Sequence, residues 1–379
     1  MSTAVVRTRT PRRRPVFHPL AVARIDELTE DAVAVTFAVP PELRDEFAFL
    51  PGQHLTVRRM HPGDGSEVRR SYSICSTPDE LREHGRVRIG VRRISGGVFS
   101  TLATSALGPG DTVEVLPPLG HFTTEFDPQR TRQYAAVAAG SGITPVLSLL
   151  ATGLSTEPKS RFTLLYVNRR ASTVMFAEEL ADLKDRYPDR LQVVYAFSRE
   201  PQLSALLSGR VDADRMRAIL DTGLIDVSLV DEWFLCGPYG MVMDIRGVLA
   251  ERDVPDASVH TELFHVPEEG GGSQRQPEPA RRDESTAEST EVTITLDGRE
   301  SSFVMRRDER VLDAALRVRS ELPYACKGGV CSTCRGRLVE GEVRMVQNYA
   351  LEPDEIAAGY ILTCQSQPVS DRLVVDYDA

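Results

Sequence analysis

Cysteine is scarce in this chain, with six in 379 residues, and no run of apolar residues approaches the 18 needed for a membrane-spanning helix. No membrane partner is therefore expected. Positive charge is also in deficit. The 45 lysines and arginines face 55 acids, and the net charge of −10 argues against nucleic acid as the main partner. The opening stretch "MSTAVVRTRTPRRRPVFHP" has five arginines and no acid, but no apolar segment follows them. A targeting role is not read there, and residues 1–17 are expected to be a disordered basic tail on a cytoplasmic protein. No internal repeat is present. Few cysteines and no secretion pattern imply a reducing compartment, where clustered thiols serve as metal ligands rather than disulfides.

One segment lacks what a core requires. "PEEGGGSQRQPEPARRDESTAEST", residues 267–290, has no aromatic residue and no valine, isoleucine or leucine. It cannot bury enough surface to order itself and is expected to be a flexible linker. As a coil it would span about 25–30 Å. On either side the texture is that of folded domains, with 41% hydrophobic and 26% charged residues overall. Residues 18–127 show short alternating runs such as "AVAVTFAV", "QHLTVRR" and "RVRIGVRRI" separated by turn signals. This is the rhythm of an antiparallel β-barrel. Residues 128–266 alternate strands ("YAAVAAG", "RFTLLYVN", "LQVVYAF", "EWFLCG") with helices, which predicts an α/β domain with a parallel sheet. Residues 291–379 open with two strands around "DGRE", followed by the helix "RVLDAALRVRS", and predict a small α+β domain.

Three of the six cysteines fall in "PYACKGGVCSTC", residues 323–334. Cys326, Cys331 and Cys334 are spaced C-x4-C-x2-C, and Cys364 follows in "ILTCQ", which is the plant-type 2Fe-2S spacing. Four thiolates bring −4 formal charge, so backbone N–H groups must turn inward around them. Gly328 and Gly329 make that wrapping feasible. A structural zinc site would show two C-x2-C pairs, and there is one.

A one-electron carrier fed by a hydride donor requires a two-electron intermediary, and a flavin is the usual one. "RRSYSIC" holds Arg70, Tyr72 and Ser73 on a strand, suited to a pyrophosphate and a flat ring system. "SGGVFSTLAT" holds Gly97, then Ser100 and Thr101, where a helix is expected to open with free N–H groups for a phosphate. "AVAAGSGITPVLSLL" ends a strand at Gly140 and turns through Gly142 and Thr144 into a helix, where dinucleotides bind. "FLCGPYGM" puts Cys236, Gly237 and Pro238 at another strand end. Cys75 has no such setting and reads as core.

These motifs together resemble the ferredoxin–NADP reductase superfamily, with its R-x-Y-S strand, G-x-x-S turn and C-G-P strand end. The C-terminal segment resembles plant-type ferredoxins, which implies a β-grasp. The resemblance implies that Arg70, Tyr72, Ser73, Gly97 and Ser100 hold FAD, and that Gly140, Gly142, Thr144, Cys236, Gly237 and Pro238 line the nicotinamide side. Tyr72, Ser73 and Cys236 are the catalytic candidates. Arg169, Ser198 and Arg199, at two strand ends, favour NADPH over the alternative, NADH, with Ser198-Arg199 resembling the phosphate-binding pair of NADP-specific reductases. Phe264, in "HTELF", either approaches the flavin or packs in the core.

From about Phe17 to Ala379 the chain is similar to the family of phenylacetyl-CoA epoxidase reductase subunits, in stretches such as "PGQHLT", "AAGSGITP" and "NYALEPDEIAAGY". That implies a separate diiron oxygenase component as partner. The reductase of another aromatic mono- or dioxygenase is the alternative, and a redox sensor is a reading the flavin and nicotinamide motifs argue against. The 15 acids and 11 bases of residues 291–379 suit a basic docking surface on the partner.

Overall fold

A computed structural model describes residues 16–61, 63, 65, 67–265, 289–319, 321–351 and 353–379. The expected basic tail and linker lie outside the described residues, apart from Val16, Phe17, Ser289 and Thr290. The remainder forms two compact units, one ending at residue 265 and the other beginning at residue 289.

The first unit starts with β1 (His18–Thr29), β2 (Ala32–Ala38), β3 (His54–Met60), β4 (Glu67–Ser73), α1 (Pro78–His84), β5 (Arg86–Arg92), α2 (Val98–Ser105) and β6 (Thr112–Leu119). Its six strands pair antiparallel in the order β4-β3-β6-β1-β2-β5, and a bridge from Ile74 to Ile89 joins the two edges into the expected barrel. β2 shows how one strand serves two cores. Alternation sends Val33, Val35 and Phe37 into the barrel and Ala32 and Ala34 into the core of the next domain.

That domain comprises β7 (Gln133–Ala139), α3 (Ile143–Thr156), β8 (Arg161–Asn168), α4 (Ala177–Arg186), β9 (Leu191–Phe197), α5 (Ala213–Asp221), β10 (Glu232–Pro238), α6 (Tyr239–Glu251) and β11 (Val259–His265). All five strands run parallel in the order β11-β10-β7-β8-β9. The order reverses between β7 and β10. The crevice outside the carboxyl ends of those two strands is where a parallel α/β sheet binds its ligand. The barrel packs closely on this domain, since a Cβ on Gly90 of β5 would lie 2.4 Å from Thr144 Cγ2 of α3.

The second unit comprises β12 (Ser289–Leu296), β13 (Arg299–Arg306), α7 (Val311–Leu316), β14 (Arg335–Glu340), β15 (Val343–Met345), α8 (Pro353–Ala357), β16 (Tyr360–Leu362), β17 (Ser366–Pro368) and β18 (Arg372–Asp376). Its main sheet, β13-β12-β18-β14-β16, is mixed: β12 and β18 run parallel and the other neighbours antiparallel. The β12–β13 hairpin turns on Asp297 and Gly298, both left-handed (φ 55° and 66°), as a two-residue primed turn requires. α7 is only six residues long, shorter than "RVLDAALRVRS" suggested, but it buries Val311, Leu312, Ala314 and Ala315 against the sheet.

Candidate functional site

β4 divides its candidates between two faces. Arg70 and Tyr72 pair across to Val57 and Leu55 of β3. Tyr72 packs against Phe99 of α2, with ring centroids 5.3 Å apart, and burial pushes its phenol far above the ordinary range. The Arg70 guanidinium donates to the Arg69 carbonyl at 2.7 Å. α2 opens earlier than the sequence suggested, with Gly97 as N-cap and Ser100 already in its first turn. No side chain caps it, so first-turn N–H groups lack intrahelical acceptors. The Ser100 hydroxyl is directed inward, accepting the Ile94 N–H at 3.2 Å.

Ser73 occupies the other face. Its hydroxyl donates to Glu262 Oε2 at 3.0 Å. Cys236 Sγ lies 3.9 Å from the same oxygen, its residue paired in register with Glu262 between β10 and β11. His54, the cross-strand partner of Ser73, places Nδ1 3.9 Å from Glu262 Oε1. Thus two of the three catalytic candidates meet on a carboxylate, while Tyr72 stands on the opposite strand face. Glu262 is only 13% exposed. Burial pushes its carboxyl up to about 8, against the opposing hydrogen bonds from Ser73 and Cys236. Burial, then the nearby His121, holds the His54 imidazole down at about 4. The Cys236 thiol is raised by burial and by Glu262. Burial therefore favours the uncharged form of all three groups: carboxyl, imidazole and thiol.

At the sheet crevice, β7 ends in the turn Gly140–Gly142, which leads directly into α3. Tyr166 of β8 donates its hydroxyl to the Gly140 carbonyl at 2.9 Å, and Thr144 donates to the Ser141 carbonyl at 2.9 Å. Gly142 sits against the end of β10, where a Cβ would come 2.3 Å from the Cys236 carbonyl oxygen. Gly237 is buried and Pro238, exposed, opens α6. Beyond β8 and β9 the backbones stay paired: the Ser198 N–H donates to the Asn168 carbonyl and the Arg199 N–H to the Arg169 carbonyl, each at 2.9 Å. Arg169, Ser198 and Arg199 therefore share one rim, with both arginines exposed. Glu200 turns aside to accept the Ala171 N–H. Phe264 is 39% exposed, which excludes core packing as its role. Cys75 is core as expected, 2% exposed.

In the second unit the four cysteines approach as two pairs, Cys326 with Cys331 and Cys334 with Cys364. Among the described residues no three metal-ligating side chains converge as around a single ion. Backbone N–H groups do turn inward: Gly328 donates to Cys326 Sγ at 3.3 Å and Cys326 to Cys331 Sγ at 3.5 Å. The two glycines differ in their reason for being there. Gly329 is left-handed (φ 77°), and its Cβ would crowd the Gln347 carbonyl at 3.2 Å, whereas a Cβ on Gly328 would make only an ordinary contact with the Cys326 carbonyl at 3.8 Å. Lys327 and Ser332 take left-handed conformations despite their side chains. Gln365 fastens the loop by donating to the Lys327 carbonyl at 2.7 Å and is itself held by Arg310.

Residues 19–124 match the family described as an oxidoreductase FAD-binding domain, residues 136–247 an oxidoreductase NAD-binding domain, and residues 294–369 a 2Fe-2S iron-sulfur cluster binding domain. The chain is 45% identical over 364 residues to a component of the 1,2-phenylacetyl-CoA epoxidase of Escherichia coli K12, covering 96% of this chain and 98% of that one. The chain belongs to the ferredoxin–NADP reductase superfamily, in the branch carrying a C-terminal 2Fe-2S domain. Another such relative is the ferredoxin reductase component of 3-ketosteroid-9-alpha-monooxygenase from Rhodococcus rhodochrous, 35% identical over 94% of this chain and 96% of that one. Among solved structures, phthalate dioxygenase reductase is similar with a TM-score of 0.56 at 25% identity, covering 95% of this chain and 98% of that one. As a superfamily member the chain is a flavin- and nicotinamide-binding oxidoreductase with an iron-sulfur domain.

The residues present suit these groups. The uncapped start of α2 beside Arg70 and Tyr72 offers an anion donor set next to an aromatic face. The Gly140–Gly142 turn brings backbone close to the crevice at the carboxyl end of β7. Two thiol pairs with inward N–H groups match a donor set for two irons. Sequence reasoning gave no role to His54 or Glu262. Glu262 had one usable signal, an acid at the end of a strand two residues before an aromatic. His54 had none, because its burial arises from β3–β4 pairing.

The raised Glu262 carboxyl makes stability pH-dependent. Below about 4.5, its ordinary value, both folded and unfolded chains hold the proton. Between about 4.5 and about 8 only the folded chain does, so stability falls as pH rises through that window. Glu262→Gln removes this dependence. Its melting temperature relative to the native protein is expected to climb from pH 5 to pH 8 and level off above. A constant difference across that range would refute a protonated Glu262.

Proposed function

We propose that the chain is the reductase component of a phenylacetyl-CoA epoxidase, drawing electrons from NADPH and delivering them singly to a diiron oxygenase component of a multisubunit complex. The observation that carries this reading is 45% identity along nearly the whole length of the Escherichia coli protein. The working domains are taken as residues 18–127, 128–266 and 291–379. When bound, FAD supplies the conversion of a hydride's electron pair into single electrons, and the 2Fe-2S cluster supplies one-electron transport.

The chain's own residues would prepare these sites as follows. Arg70 and the first-turn N–H groups of α2, from Val98 to Ser100 behind the Gly97 N-cap, would hold the FAD pyrophosphate, with Tyr72 against its ring system. Phe264, being exposed at the end of β11, is available to cover the flavin face. Gly140, Gly142, Thr144, Gly237 and Pro238 shape the nicotinamide side. Ser73 and Cys236, both bonded to Glu262, bracket a protonated carboxyl. That carboxyl can hold a proton at Oε2 or Oε1 without adding charge to the site. Arg169, Ser198 and Arg199 form a positive, hydroxyl-bearing rim suited to a 2′-phosphate. Cys326, Cys331, Cys334 and Cys364 ligate the cluster.

The second reading, a reductase for another oxygenase, draws on the 35% identity to the ketosteroid monooxygenase component. The test is oxidation of NADPH and NADH with and without a phenylacetyl-CoA oxygenase component and phenylacetyl-CoA. Epoxide formation dependent on the reductase, with kcat/KM higher for NADPH, is expected. Rapid reduction of the cluster with no product would leave the second reading in place, and a preference for NADH would refute the assignment of the arginine rim.

A further inference from the structure

Gln365 follows the fourth cysteine of the second unit and is 5% exposed. Its neighbours decide which way its amide points, because a guanidinium only donates and a carbonyl only accepts. Arg310 Nη1 lies 3.1 Å from Oε1, and Nε2 lies 2.7 Å from the Lys327 carbonyl oxygen. The second hydrogen on Nε2 is left for Cys364 Sγ, 3.8 Å away. The backbone brings these groups together. The Leu312 N–H donates to the Thr363 carbonyl at 3.0 Å, which sets Arg310, the N-cap of α7, beside Gln365. Arg310 Nη1 also donates to the Gln365 carbonyl at 2.8 Å, so it grips the residue at two oxygens. Both acceptors are neutral and leave the positive charge of the guanidinium uncancelled. Gly329 makes room for the stem, since a Cβ there would lie 3.1 Å from Gln365 Cγ.

A clasp on the loop needs only the bond to Lys327. The line from Arg310 through Gln365 to Cys364 adds a chemistry. A cluster and its sulfur ligands carry more negative charge when reduced, so an N–H aimed at a ligand sulfur favours the reduced form. An amide whose oxygen is bonded to a cation is the stronger donor. We propose that Gln365 and Arg310 set the reduction potential of the 2Fe-2S cluster, Gln365 by donating to the Cys364 sulfur and Arg310 by orienting and polarising that amide. The step they favour is the uptake of one electron from the reduced flavin by the oxidised cluster. No proton moves in it, and the hydrogen stays on Nε2. Both residues act through the ligand and are positioning residues. This rests on the reading that Cys326, Cys331, Cys334 and Cys364 ligate the cluster.

The test is a potentiometric titration of the full-length protein loaded with FAD and cluster, following the electron paramagnetic resonance signal of the reduced cluster. Gln365→Met keeps the length of the side chain and removes the donor. It is expected to lower the ratio of reduced to oxidised cluster at a fixed solution potential about tenfold, a shift of about 59 mV to more negative values, with iron content unchanged. Arg310→Met is expected to lower the ratio in the same direction, and Arg310→Lys, which keeps the charge, to restore part of it. The two methionine substitutions together are expected to fall short of the sum of their separate shifts, because Arg310 acts through Gln365. A role limited to closing the loop would lower the melting temperature and leave the potential in place. An unchanged potential for Gln365→Met, or strictly additive shifts, overturns the proposal. If Gln365→Met holds no iron, Arg310→Met carries the test, since the donor is still present there, and an unchanged potential in that variant overturns it. Loss of iron from both variants assigns the pair to cluster assembly and overturns it as well. A native protein that gives no such signal after reconstitution would instead sink the reading of the four cysteines, and this proposal with it.

Discussion

Cys331→Ser is expected to abolish reduction of a protein acceptor, by at least ~100-fold, while NAD(P)H oxidation with ferricyanide persists. The expectation follows from where Cys331 sits. Its residue is 6% exposed, it pairs with Cys326, and it receives the Cys326 N–H. Serine preserves the shape of the loop but not the ligand, because an alcohol does not ionise near neutral pH and is a poor partner for iron. The two activities separate because they use different units of the chain. A small oxidant takes electrons from the flavin site in the first unit, which has its own barrel core and its own parallel sheet. A protein acceptor needs the cysteine loop of the second. Measuring iron content, ferricyanide reduction and cytochrome c reduction on one preparation decides the matter. Loss of both activities would mean that the cysteine unit supports the folding or loading of the other one, and would contradict the separation.

Gly142→Ala is expected to have a comparable effect on the nicotinamide side. Its φ is ordinary, near −61°, so backbone strain is not the cause. The cause is space. The added methyl would lie 2.3 Å from the Cys236 carbonyl oxygen and 2.7 Å from its carbon, and both are backbone atoms of β10, which sits between β7 and β11. Neither can rotate away, so the turn must lift off the strand. That displaces the start of α3 and the Cys236–Glu262 pair together. Overpacking of this kind costs about 1–3 kcal/mol. The expected result is a melting temperature lowered by several degrees and a dinucleotide Kd raised at least ~10-fold, with FAD retained. Gly247→Ala is the control. It lies in α6 with nothing within 4 Å of its added methyl, and alanine there should stabilise by up to ~1 kcal/mol. If Gly142→Ala behaved like the control, the close contact with β10 would be wrong.

Much of the architecture was legible because it is written in contiguous patterns. The short alternating runs before residue 127 and the strand–helix alternation after it report burial within single elements. The "DGRE" hairpin reports local backbone chemistry that Asp297 and Gly298 then display. Where the local pattern misled, tertiary packing outweighed it. "RVLDAALRVRS" has helical spacing throughout, yet α7 stops at Leu316. Ser100 and Thr101 look like the opening of a helix. Gly97 begins it instead, and the Ser100 hydroxyl serves the turn at Ile94 rather than facing outward. Phe264 could serve either flavin or core, and only its exposure separates the two.

The sequence by itself determined the cofactor classes. A C-x4-C-x2-C loop, a glycine turn at a strand end and an arginine-tyrosine-serine strand each state their chemistry within a dozen residues, because ligand spacing and backbone freedom are local properties. The tertiary structure decided what those ligands meet. Ser73 and Glu262 are 189 residues apart in the chain and 3.0 Å apart in space. The raised Glu262 carboxyl comes from burial contributed by several strands, and the approach of Cys334 to Cys364 from the pairing of β14 with β16. Desolvation and electrostatic coupling are sums over neighbours in space, and no window of sequence contains those neighbours.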